Sequence, residues 1–146
     1  MNVNKKVVRF LLIRGCPGSG KSTVASKLAA KYGVKHFEND AYLMHGDKYV
    51  WTPEAAKDAA KRCFEDTMSA LRSGKDTIVS NVFVTRKSID RYVRAAKQLG
   101  CEVQVWRMTN DFGNVHDVPT NVLASMKSDF QDYPGEKLVD VTKLKI

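Results

Sequence analysis

The sequence predicts an α/β fold, a three-layer sandwich whose central, mostly parallel sheet has about five strands. Three observations predict it. Apolar, β-branched-rich runs of strand length alternate with segments of helical periodicity along the chain. The runs show little polar alternation, as expected of strands covered on both faces. Glycines or capping residues stand at most of the junctions.

Residues 7–13 form the first such run and end at Gly15, which suits a central strand. A helix is predicted over 21–32, stopped by Gly33, followed by a short second strand over 34–37. Thr52-Pro53-Glu54 is a helix start, with Thr as cap and Pro at the first helical position. The helix it opens carries Ala56, Ala60, Cys63, Phe64, Thr67, Met68 and Leu71 on one stripe and stops at Gly74. A buried strand is expected over 77–84. Thr85 then caps a helix with Ile89, Tyr92, Val93 and Ala96 inward, ended by Gly100. A fourth strand over 103–108, a loop, a helix over 119–130 and a last strand beginning at Val139 complete the alternation. Right-handed crossovers would then place ligands at the carboxyl ends of the strands. One domain spanning 1–146, with a short lid around 109–120, is the expected organisation.

Length and composition narrow the function class. A chain of 146 residues with 43% apolar and 27% charged residues is in the ordinary globular range. The longest apolar run falls far short of the roughly 20 residues of a spanning helix, and the basic start is followed by no small-residue cleavage site, so a cytoplasmic protein away from membranes is expected. Cys16, Cys63 and Cys101 form no paired spacing, which points to reduced thiols rather than a disulfide framework or a zinc site. The formal charge of +8 favours polyanionic partners, with nucleotide, DNA and RNA all qualifying. Nothing in the sequence fixes the oligomeric state.

The most specific signal is Gly15-Cys16-Pro17-Gly18-Ser19-Gly20-Lys21-Ser22, a Walker A pattern between a predicted strand and a predicted helix. A phosphate chain needs converging backbone N–H groups, hence glycines that let the backbone approach, and a helix N-terminus adds its dipole. In that reading Lys21 reaches the β- and γ-phosphates of ATP, and the Ser22 hydroxyl is a hard oxygen ligand for Mg2+. With Thr23, these nine residues are the expected nucleotide-binding set.

Beyond that loop, Phe37-Glu38-Asn39-Asp40-Ala41-Tyr42, Ser80-Asn81 and Asn114-Val115-His116-Asp117-Val118-Pro119 follow in order. With them the chain resembles P-loop kinases of the polynucleotide 5′-hydroxyl kinase and NEDD4-binding-protein-2-like type, phage enzymes included, over nearly its whole length. The resemblance implies that Asp40 is the general base on the acceptor hydroxyl, with Glu38 its nearest rival. It also marks departures. Ser80 stands where other branches carry an aspartate, so Mg2+ is expected to rest on Ser22, phosphates and water. The lid, usually Arg-Asn-x-His-Gly-Val-Pro, here begins with Gly113, so its arginine is missing; Asn81, Arg86, Arg107, Asn114 and His116 are the remaining lid or substrate candidates. Leu43 takes the place of a substrate-phosphate arginine.

The reading that follows is ATP-dependent phosphoryl transfer to a hydroxyl, on a polynucleotide 5′ end or a nucleoside-like molecule. A non-catalytic ATP-dependent module that binds nucleic acid or protein, and a small-molecule kinase, are the alternatives. Lys87, Arg91 and Arg94 recur on one helical stripe that could follow a phosphodiester backbone, and Tyr42, Tyr49, Trp51 and Phe83 could stack on a base.

Overall fold

The computed structural model describes residues 6–113 and 118–146. Strand β1 (Arg9–Arg14) leads through the glycine-rich loop into α1 (Lys21–Tyr32), β2 (Lys35–Phe37) and a 3-10 turn over Asn39–Leu43. A two-residue-strand hairpin, β3 (Met44–His45) with β4 (Lys48–Tyr49), precedes α2 (Pro53–Arg72), β5 (Thr77–Asn81) and α3 (Arg86–Gln98). Then come β6 (Glu102–Met108), α4 (Thr120–Asp129), β7 (Lys137–Val139) and a 3-10 turn over Val141–Lys143. The main sheet is five-stranded in the order β2-β5-β1-β6-β7, and every pair in it is parallel. The expected fold class is therefore what forms.

Pleating explains how one strand serves two cores. In β1, Phe10 and Leu12 enter the cluster under α2 and α3, with Cys63, Met68, Val79, Ile89 and Tyr92. Their neighbours Leu11 and Ile13 face the other cluster, with Val24, Ala25 and Leu28 of α1, Ile78 and Met108. Leu12, Ile13 and Val79 are fully buried, and each such side chain contributes about 1.5–3 kcal/mol of transfer free energy. The predicted caps also form: Thr52 accepts from Ala55 N–H and Thr85 from Ser88 N–H.

Two boundaries and one burial pattern differ from expectation. The strand predicted over 77–84 stops at Asn81, because Phe83 adopts φ 50° and turns the chain out of the sheet. The last strand ends at Val139 rather than starting there, since Asp140 accepts from Thr142 N–H and caps a turn. Helix α4 has no fully buried residue, so its apolar side chains are only partly covered. The hairpin and the 3-10 turn after β2 left no periodic signal, being too short for one. Among the described residues no helix is long and apolar enough to cross a membrane.

The same pleat puts Arg14 on the Phe10 and Leu12 face, where its side chain is wholly buried. Its Nε and Nη2 donate to the Phe83 carbonyl at 3.1 and 2.8 Å, Nη2 also donates to Gln131 O at 2.8 Å, and Nη1 pairs with Glu136 Oε1 at 2.6 Å. The guanidinium lies 4.0 Å from the Phe130 ring centroid, and that of Arg107 lies 4.7 Å from the same ring. A left-handed non-glycine residue costs of order 1–3 kcal/mol unless its surroundings over-determine it; the doubly donating Arg14 does so for Phe83. Breaking a buried charge pair from one side costs about 3–5 kcal/mol. Arg14→Met is therefore expected to lower the unfolding free energy by about that much in urea titration, and a loss under about 1 kcal/mol would show that the network does not hold these loops.

Candidate active site

The loop between β1 and α1 is shaped by steric need. A Cβ at Gly15 would lie 2.4 Å from Ser19 Oγ, and Gly18 and Gly20 have φ of 83° and 85°. Gly20 is the N-cap of α1 and offers no side-chain oxygen, so no side chain caps the first turn. Its amides stay open to an anion, as a phosphate cradle requires. Ser19 is buried and its hydroxyl has no partner among the described residues, while its N–H donates to Cys16 O at 3.1 Å. Burial pushes the Cys16 thiol up, which keeps it protonated despite the nearby Lys127 and Lys21. Pro17 is buried, and Thr23 faces solvent on α1.

Lys21 opens α1. Burial pulls its ammonium below the usual lysine value, and the charges of Asp40 and Glu38 oppose that shift. The two carboxylates differ in their ties. Glu38, just past β2, accepts from Ser22 Oγ at 2.9 Å and from Ser80 Oγ at 3.2 Å, both on Oε2. The ring Nε2 of His36 lies 2.7 Å from Ser80 Oγ, and burial holds that imidazole below its ordinary pKa. Asp40 is exposed, and among the described residues the Tyr49 hydroxyl donates to its Oδ1 at 3.3 Å. Between the two acids, Asn39 N–H donates to Asn81 Oδ1 at 2.8 Å, so Asn81 anchors their loop to the end of β5. Lys21, Ser22, Glu38, Asp40 and Asn81 all line one cleft of about 800 Å³.

The other candidates divide. Arg86 donates through Nε to Asp132 O at 2.6 Å, and Arg107 pairs with Glu136 at 3.4 Å as well as with Asp132. Both are thus committed to the segment before β7. Asn114 and His116 lie outside the described residues. Leu43 is buried. Tyr42 packs on the core and donates to Asp66 at 2.6 Å, and Phe83 is buried, whereas Tyr49 and Trp51 are exposed at the cleft. Lys87, Arg91 and Arg94 are all exposed on α3, with Arg91 stacked 4.0 Å from the Phe64 ring.

Two features escaped the sequence reading. The Glu38–Ser22 bond had a signal: a carboxylate one residue past a short strand that pairs in register with β5, as Phe37 opposite Val79 shows. Arg14 had a weaker one, a basic residue closing an otherwise apolar run.

A model of the AAA domain family matches residues 10–111. The chain belongs to this AAA domain family. An uncharacterized protein of Pasteurella multocida (strain Pm70) is 33% identical over 139 residues, covering 86% of this chain and 78% of the relative. A gluconokinase from Sinorhizobium meliloti 1021 superposes with a TM-score of 0.66 at 18% identity over 96% of this chain and 86% of its own. The structure of the Pnkp1/Rnl/Hen1 RNA repair complex contains a chain that superposes with a TM-score of 0.59 at 18% identity, over 91% of this chain and 42% of that one. This AAA domain thus has the fold of the P-loop kinases.

The segment after β6 closes on the phosphate-binding loop. Phe112 N–H donates to Gly18 O at 2.7 Å, and a Cβ at Gly18 would sit 2.0 Å from Gly113 O. Gly18→Ala is expected to push this segment away and to speed amide exchange at Phe112 by at least about tenfold, with protection in β1 and β5 unchanged; unchanged exchange at Phe112 would show that the contact tolerates the methyl.

Proposed function

We propose that the protein is an ATP-dependent phosphotransferase acting on a hydroxyl group, of a polynucleotide 5′ end or a nucleoside-like molecule. One observation carries the reading. Lys21 and Ser22 share a cleft with two carboxylates, one bonded to Ser22 and the other not. That division matches the two tasks such chemistry sets, holding a cation and accepting a proton.

The loop amides of residues 15–22 and the α1 N-terminus cradle the phosphate chain, and Lys21 meets the β- and γ-phosphates. The donor set fits magnesium, since Ser22 Oγ and Glu38 Oε2 are hard oxygens 2.9 Å apart at the loop. Magnesium supplies charge neutralisation on the phosphate oxygens, and Ser22 and Glu38 would hold it, Glu38 directly or through water. Glu38 thus fills the acidic anchor that Ser80 lacks. Asp40 lines the cleft, forms no ion pair among the described residues, and takes the acceptor proton. The acceptor oxygen bonds to the γ-phosphorus as its bond to the β-bridging oxygen breaks, and ADP leaves.

A second reading, an ATP-dependent binding module with little turnover, draws on Arg86 and Arg107 both being held at Asp132. A cation at the developing charge is worth on the order of 10³ or more in rate. The two separate by mutation. Lys21→Ala is expected to weaken ATP binding at least about tenfold by calorimetry. Asp40→Asn is expected to leave ATP affinity within about twofold while phosphoryl transfer falls by about 10² or more. Glu38→Gln is expected to weaken Mg2+-dependent, not Mg2+-independent, nucleotide binding. Bound ATP with no transfer to any hydroxyl acceptor would leave the module reading standing.

A further inference from the structure

We infer that the acceptor is an uncharged alcohol carrying a planar ring, of nucleoside size, stacked against Trp51 and Tyr49. This rests on the phosphotransferase reading of the same cleft and narrows its substrate class.

Charge comes first. Among the described residues, the cationic side chains lining the cleft are Lys21 and Arg91. Lys21 lies at the phosphate-binding loop, and the Arg91 guanidinium is stacked on Phe64 at 4.0 Å. Glu38 and Asp40 put two carboxylates on the same cleft. An acceptor bearing its own carboxylate or phosphate would meet repulsion from both carboxylates there, against a single arginine whose guanidinium face already lies on Phe64. Sugar acids and phosphorylated chain ends are therefore poor occupants.

Shape and polarity come next. Val82, Phe83 and Val84 form one wall, and Val122 and Met126 of α4 form another. Tyr49 and Trp51 stand at the mouth, 52% and 58% exposed. An apolar cleft with a few convergent polar groups is the usual form of a small-molecule site, and free sugars, polar all round, would leave these walls uncovered. A ring stacked on an aromatic side chain gains about 1–3 kcal/mol whatever its substituents. The Tyr49 hydroxyl donates to Asp40 at 3.3 Å, so a ring lying on Tyr49 carries its own hydroxyl to the carboxylate that accepts the proton. The transfer balances as the acceptor O–P bond forms, the γ-phosphorus to β-bridging-oxygen bond breaks with its electron pair leaving on ADP, and the proton passes to Asp40.

Trp51 and Trp106 are the two tryptophans, so Trp106→Phe makes Trp51 the sole indole reporter. With a non-hydrolysable ATP analogue and Mg2+ present, thymidine, uridine and guanosine would be titrated, alongside gluconate and a 5′-hydroxyl decathymidylate. Saturable quenching by at least one nucleoside and none by gluconate is expected. In steady-state transfer, Trp51→Ala is expected to raise the nucleoside KM at least about tenfold with the ATP KM unchanged. Transfer to gluconate in preference to every nucleoside would overturn the inference and leave the kinase reading intact. A preference for the oligonucleotide by tenfold or more, falling steeply with salt, would overturn it in favour of a polymer end. Nucleoside quenching without any transfer would keep the ring site and sink the kinase reading; neither quenching nor nucleoside transfer would sink the inference itself.

Discussion

At the carboxyl end of the central strand a single guanidinium meets three pieces of chain that are distant in sequence. Arg14 holds the Phe83 carbonyl after β5, the Gln131 carbonyl after α4 and the Glu136 carboxylate before β7. A buried arginine is stable only when its donors are met, and here four bonds and an aromatic face meet them. The neighbouring Arg107 shares Glu136 and Phe130, so two cations are offset by two carboxylates and a ring. The loops that wall the cleft are set by this tie. Without it, the left-handed Phe83 has no evident reason to persist, and the apolar wall at 82–84 would return toward the extended strand its sequence favours.

The cleft itself sorts two acids by environment rather than by residue type. Glu38 is the longer side chain, sits beside Ser80 by strand register, and spends its oxygen on the Ser22 and Ser80 hydroxyls. Asp40, two residues on, stands on the 3-10 turn and faces solvent and Tyr49. Asn81 fixes the backbone between them through the Asn39 amide. A residue named as a substrate candidate thereby acquires a positioning role. Lys21, partly desolvated, is balanced by both acids.

Most of the fold was legible in the sequence. Apolar runs, helical stripes, Thr52 with Pro53, Thr85 and the glycines that end helices are local signals, and local signals place elements to within a few residues. The glycine-rich loop between β1 and α1 was legible for the same reason, since its shape is written in consecutive residues. What failed to show were features with no period, such as the hairpin at 44–49, and features set by a distant partner, such as the early end of β5.

The sequence by itself determined the alternation of strands and helices, the glycine-rich loop between β1 and α1, and the presence of acids near the end of β2. The tertiary structure alone decided which acid meets Ser22, which aromatic rings stay exposed, and which arginines are already occupied. Those outcomes depend on parallel register and loop packing, where residues tens of positions apart come within 3 Å, and no local pattern encodes such a distance.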